Sequence, residues 1–200
     1  MNKKIVALML IVTVAAASAF AAPLIQIGPS LSYNKQVWDE ENNSVMIPEG
    51  FSEIEVDDFG IGGDVRINLG MLQVAAFADF GMPFGKDINA ITMNGGVSLN
   101  SVISLAFLDV FAGVGAHVDV VHDLDAKTWT FNGSEFSDFG SLLTSSSLFY
   151  RGGATINIGL FGVSIFADIP TESGAIADGV SLAPDLERTK ISASILFNIG

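Results

Sequence analysis

The chain has no cysteine, which excludes a disulfide framework, a thiolate metal site and a lipid-modified N-terminal cysteine, so any attachment to a membrane must come from the fold. It is also short of positive charge: 9 Lys and Arg stand against 22 Asp and Glu, a formal net charge of -13. Such a chain repels a phosphate backbone, which disfavours nucleic acid and favours divalent or basic partners. After the N-terminus no apolar run is long enough for a transmembrane helix. Half of the 200 residues are nevertheless apolar, so acidic and apolar residues must occupy separate zones.

The one long apolar run reads as an address. Asn2-Lys3-Lys4 is a basic start, Ile5 to Ala17 an apolar stretch of signal-peptide length, and Ala19-Phe20-Ala21 a small-x-small cleavage pattern. The expected organisation is a cleavable signal peptide, 1–21, and one domain, 22–200. The alternative, a retained anchor helix, is disfavoured because the run falls short of the roughly 20 residues needed to span. The exported chain either floats free or spans as strands.

Period-two alternation with glycine-rich or acidic punctuation marks eight strands: Leu24 to Tyr33, Phe59 to Leu69, Leu72 to Phe80, Thr92 to Val102, Leu108 to Val121, Tyr150 to Ile158, Phe161 to Ile169 and Lys190 to Ile199. Gly28-Pro29 weakens the first, since proline is best tolerated at a strand end, edge or bulge. In Leu108 to Val121, one set (Leu108, Val110, Ala112, Val114, Ala116, Val118, Val120) is wholly apolar, and the other carries Asp109, Phe111, His117 and Asp119. Alternation alone does not say whether the apolar face meets lipid or a soluble core. The connections alternate in length: 34–58, 122–149 and 170–189 are long and 81–91 is intermediate, whereas 70–71, 103–107 and 159–160 are short. Short turns on one side and long loops on the other are the habit of an outer-membrane barrel. The segment from Ile67 to Phe80 also aligns without gaps to Ile156 to Ile169, identical at half of the positions. Duplication of a four-strand unit and convergence of two hairpins under the same constraints both explain this echo.

The chain thus resembles the small eight-stranded outer-membrane proteins that include the OmpX, OmpA-barrel and OmpW families. The resemblance covers the whole mature chain and rests on architecture. It implies an all-β, antiparallel, up-and-down transmembrane barrel in the bacterial outer membrane, with short periplasmic turns and long extracellular loops. Its expected partners are outer-membrane lipids and the barrel-assembly machinery, and a monomer is expected. Such families usually end in an aromatic residue that this machinery reads; here Ile191, Ala193, Ile195, Phe197 and Ile199 alternate and glycine follows. Trp38, Trp129, Tyr33 and Tyr150 are the only Trp and Tyr available for aromatic girdles, so phenylalanines must share that role.

An eight-stranded barrel is just wide enough to be filled by side chains or to hold one small ligand. Asp64, Arg66, Asn68, Gln73, Asp79, Asn94, Asp109, His117, Asp119, Arg151, Asn157, Asp168 and Lys190 are expected inside, with Arg66 and Arg151 as hubs for several carboxylates. His117 and Asp119 share a face and could bind a divalent metal or act as an acid/base pair, but a strand turning polar as it leaves the membrane is the simpler reading. The segment from Asp123 is no EF-hand, having Thr128 and Ser134 where Gly and Glu belong. Ser141 to Ser147 beside His117 or His122 matches no recognisable triad spacing. No catalytic, cofactor or metal residues are therefore expected. The acidic first loop (Asp39, Glu40, Glu41, Glu49, Glu53, Glu55, Asp57, Asp58) suits divalent cations, although a solvated loop explains it as well. The expected function is a non-enzymatic structural or surface-contact barrel, with an OmpW-like conduit or binding barrel for a small apolar molecule as the alternative.

Overall fold

A computed structural model describes residues 23–39, 44–46, 55–81, 90–131, 134–135, 145–172, 176 and 181–200. The expected signal peptide, 1–21, and residues 40–43 and 47–54 of the acidic first loop lie outside the described residues. Eight long strands carry the fold: β1 Ile25–Tyr33, β2 Phe59–Leu69, β3 Leu72–Gly81, β4 Ala90–Leu105, β5 Leu108–Asp123, β6 Ser147–Ile158, β7 Phe161–Pro170 and β8 Lys190–Ile199. Each pairs antiparallel with its sequence neighbours, and β1 pairs with β8, so the sheet closes into an up-and-down barrel. Closure leaves the eight-strand wall no open edge, which is what a lipid-facing sheet requires.

The strands sit where alternation places them, with several ends shifted by one to three residues, and two differences change the connections. β4 runs to Leu105 rather than Val102, so the second short connection is the two-residue turn Ala106-Phe107. Beyond the rim, Thr128–Phe131 folds back on the end of β5 and pairs with Ser134–Glu135, a continuation that lay hidden in a polar segment. Asp123 Oδ1 caps that fold-back by accepting from the Asp125 and Ala126 amides at 2.9 and 2.8 Å. This is the role its Asp-x-Asp pattern plays in place of calcium ligation. The turns Gly70-Met71, Ala106-Phe107 and Gly159-Leu160 share a positive φ at the first residue (73°, 57° and 60°), as a II′ hairpin turn demands. These turns and residue 23 gather at one end of the barrel, and the four longer connections at the other.

The two faces are inverted relative to a soluble protein. Gln26, Asp64, Arg66 and Asn100 are fully buried inside, whereas Val97, Val114, Ile165 and Ile195 are more than half exposed on the outer wall. The apolar set therefore faces lipid, and the barrel spans a membrane. Tyr33 and Phe59 pack at 5.4 Å at the loop-end border of the belt, and Phe161 and Phe197 at 5.3 Å near the turn end. Phenylalanine thus supplies most of the girdles, while Trp38 and Trp129 lie beyond the rim.

The internal echo has a spatial counterpart. Phe77 and Phe166, Asp79 and Asp168, and Asn68 and Asn157 occupy equivalent inward positions on the β2–β3 and β6–β7 hairpins, which stand four strands apart around the eight-strand ring.

Pro29 interrupts the β1–β8 ladder, whose pairing skips from Ile27 to Ser30. The chains approach so closely there that a Cβ on Gly28 would lie 1.8 Å from the Ile195 carbonyl oxygen, whereas at Gly63, across β1 on β2, the nearest atom would be 3.8 Å away. Gly28→Ala is therefore expected to lower the yield of the folded, heat-modifiable species in unboiled SDS gels, and Gly63→Ala to leave it near the parent level.

Candidate functional site

The lumen is packed in layers, beginning at the turn end with a run of carboxamides. Asn100 Nδ2 donates to Gln73 at 3.0 Å, Gln73 to Asn68 at 2.8 Å, and Asn68 to Gln26 at 3.3 Å. Gln26 Nε2 donates to both Asn198 and Asn157, at 2.9 and 3.0 Å, and Asn157 donates to Asp109 at 2.6 Å. A carboxamide both donates and accepts, so the run propagates around the wall through seven of the eight strands. On β7 the corresponding position is Gly162, where a Cβ would press on Asn157 and Gln26 at 3.1 and 3.3 Å.

Two arginines hold the middle. Arg66 grips Asp64 Oδ2 through Nε and Nη2 at 3.0 and 2.6 Å, and its Nη1 donates to Thr155 Oγ1 at 2.9 Å. Ser194 Oγ also donates to Asp64 Oδ2 at 3.1 Å. Arg151 makes a bidentate pair with its cross-strand neighbour Asp168, both contacts at 2.6 Å. Each arginine thus takes one carboxylate, and the expectation of hubs for several is corrected. Aromatic faces cover the guanidinium planes instead: Arg66 Cζ lies 4.8 Å from the Phe111 centroid, and Arg151 Cζ 4.4 Å from that of Phe77. Phe166 stands against both cations, at 5.2 and 4.6 Å. A guanidinium satisfies carboxylate at its edge and aromatic rings at its faces, so a narrow lumen stabilises it with few acids.

Sequence reasoning singled out the polar members and missed these phenylalanines. The signal was present in the parity: Phe77 stands two residues before Asp79, Phe149 two before Arg151, Phe166 two before Asp168, and Phe111 two after Asp109. All four rings face a glycine directly across the ladder, Phe77 with Gly96, Phe149 with Gly115, and Phe166 and Phe111 with Gly153 from either side. A Cβ on Gly115 would lie 2.5 Å from the Phe149 ring. The inward glycines therefore make room for rings and do not leave open bore.

The remaining expected residues lie at the loop end. Asp79 accepts from Ser30 Oγ at 3.0 Å. Asn94 donates to Asp119, whose Oδ2 lies 4.0 Å from His117 Nε2, and the His117 ring meets the edge of Phe149 at 5.5 Å. Asp119 is exposed at the rim and takes no part in the plug, because β5 has left the wall's packed section there. His122 is stacked on Trp129 at 4.1 Å and donates through Nδ1 to the Thr128 carbonyl at 3.1 Å. Ser147 is opposite His117 in the ladder, whereas 141–144 lie outside the described residues. A cavity of about 150 Å³ opens above the plug, lined by Phe77, His117, Phe149, Asp168, Arg188 and Lys190 among others. Among the described residues no group of three or more His, Asp or Glu could hold a metal ion.

A closed eight-stranded meander with buried charge inside and an aliphatic wall outside leaves one class of architecture. The fold is that of the small outer-membrane β-barrels. Among solved structures, Neisserial surface protein A matches with a TM-score of 0.52 at 9% identity, over 88% of this chain and 97% of that one. Ail, the attachment invasion locus protein of Yersinia pestis, matches with a TM-score of 0.39 at 13% identity, over 86% and 92%. No protein-family model and no curated protein matches the sequence. At such identities the likeness is one of fold, and the contents of the barrel are this chain's own.

Removing Arg151 strands a buried carboxylate among aromatic rings. Arg151→Ala is expected to destabilise the folded barrel by about 3–5 kcal/mol in guanidinium unfolding in detergent, and Arg151→Met combined with Asp168→Leu to recover most of the loss. Equal loss in both variants would mean that the pair itself is stabilising.

Proposed function

We propose that the protein is a non-enzymatic outer-membrane barrel that stabilises the envelope and presents its loop end to partners at the cell surface. In this reading residues 1–21 are a cleaved signal peptide and 22–200 the mature, monomeric barrel. The barrel-assembly machinery inserts it, lipids surround it, and divalent cations bridge its acidic loop to anionic head groups. One observation carries the reading: the lumen is filled from the turn end through both arginine layers, while exposed charge is displayed at the loop end. A filled eight-stranded bore leaves no route for ions, so the surface available for recognition is the rim and its loops. Acidic loops favour basic or cation-bridged contacts over nucleic acid.

A second reading, a binding barrel for a small molecule with an apolar part, is favoured by the loop-end cavity and its floor of Phe77 and Phe149. The conduit version of that idea would need an open bore, and the amide run at the turn end weighs against it.

Full-length precursor expressed in a Gram-negative host is expected to fractionate with the outer membrane and to shift mobility on boiling in SDS. In planar bilayers the purified protein is expected to add no steady unitary conductance. Intact cells carrying it are expected to bind the basic protein cytochrome c more than control cells, with the excess lost at high salt. Sustained conductance steps would sink the plug, and unchanged cytochrome c binding would sink the acidic contact surface.

A further inference from the structure

The turn end differs from the loop end in a way that the spanning architecture does not require. Among the described residues, every exposed charged side chain lies at or beyond the loop-end rim; the carboxylates nearest the turns, Asp109 and Asp64, are buried in the lumen. All three short turns instead carry an apolar residue at the tip: Met71 is 56% exposed, Phe107 63% and Leu160 73%. The strand ends beside them are apolar and exposed as well, Leu69, Ile158 and Ile199 being examples. A turn that projects into water is ordinarily built from polar residues and glycine, because water satisfies them at no packing cost. Here glycine is kept at two of the turns for its positive φ and the polar half is absent.

The strand lengths point the same way. On β1 the lipid-facing run from Ile25 to the girdle residue Tyr33 is 9 residues, the lower limit of the roughly 9 to 11 that a tilted strand needs to cross a bilayer. At about 3.3 Å per residue it rises ~26 Å along the strand, or about 20 Å along the barrel axis at a tilt of 35–45°. The outward runs Leu72 to Phe80, Tyr150 to Ile158, Phe161 to Ile169 and Ile191 to Ile199 end equally close to the turns. An outer-membrane apolar band is about 25 Å tall. On these five strands the belt comes up short unless the turn tips are counted with it, whereas the longer outward runs of β2, β4 and β5 cover the band unaided.

We propose that the turn end is itself a membrane-contact surface: Met71, Phe107 and Leu160 seat the three turns in the inner leaflet of the outer membrane, and no part of the described barrel projects beyond it into the periplasm. The occupant is lipid, because the tips continue the lipid-facing belt without a polar break and present no charge to a protein partner. The carboxamides of Asn157 and Asn198, which line an open cleft at the centre of this end, then meet the head-group layer, while Gln26 lies buried behind them and donates to both. All contact with water-soluble partners falls to the loop end. The inference rests on the membrane-spanning reading, and its test separates the two.

Because the chain has no cysteine, Met71→Cys, Phe107→Cys and Leu160→Cys each create one unique labelling site. Full-length chain is expressed, the outer-membrane form purified, spin-labelled and reconstituted in phosphatidylcholine vesicles. Relaxation by molecular oxygen, which concentrates in lipid, is compared with relaxation by a water-soluble nickel chelate. Ile195→Cys on the outer wall and Leu182→Cys at the loop end are the lipid and water references. The expected result is an oxygen-to-nickel ratio at all three tips nearer that of Ile195→Cys and several-fold above that of Leu182→Cys. Nickel access at the tips equal to Leu182→Cys would overturn the proposal and leave the spanning barrel intact. Exclusion of both relaxants would also overturn it, placing a second copy or another protein on this end. Nickel access at Ile195→Cys would overturn the membrane-spanning reading and the proposal together.

Discussion

An unpaired peptide group facing hydrocarbon costs several kcal/mol, so a sheet in lipid must close upon itself. Everything else in this protein follows from that constraint. Closure with eight strands forces the outer positions to be aliphatic and confines the inner positions to a bore one or two side chains wide. It also places the burden of the β1–β8 seam on Gly28-Pro29, where proline withholds a ladder hydrogen bond and glycine permits the close approach that keeps the strands together.

Inside the bore the problem becomes one of shape and charge together. Aromatic rings are too large to face one another across every layer, and the ladder opposes Phe77, Phe149 and Phe166 to glycines, so large and small alternate around the wall. The rings then cover the faces of Arg66 and Arg151, and one carboxylate satisfies the edge of each. Deprived of its carboxylate the guanidinium would be a buried charge without compensation; Asp168 and Phe166 serve Arg151 from one strand two residues apart, whereas Arg66 takes Asp64 from its own strand and its rings from β5 and β7. The carboxamide run below uses the same economy: groups that donate and accept at once link seven strands with Asp109 as the single charge at one end.

The two ends of the barrel then diverge. At the loop end β4 and β5 outgrow their neighbours, charge appears, and a small cavity remains above the plug. At the turn end the strands stop in apolar two-residue turns. Among the described residues, a barrel so polarised displays its exposed charged side chains at one end only.

Much of this was legible in the residues. Period-two alternation fixes which side chains share a face, and Gly70-Met71 and Gly159-Leu160 mark two of the tight turns, so eight strands and their inward polar sets could be read directly. Ala106-Phe107 was harder, because alanine at positive φ carries no turn signal. The fold-back at Thr128–Phe131 was hidden by its short length and polar neighbours. What alternation could not decide was which face turns inward, since a dyad pattern is symmetric between lipid and core. Nor could it name partners: Gln26 meets Asn198 across a separation of 172 residues, and Arg66 meets Thr155 across 89. Local sequence specifies periodicity, and only closure of the sheet brings the first strand to the last and sets the radius at which an arginine from one wall reaches a hydroxyl on the other.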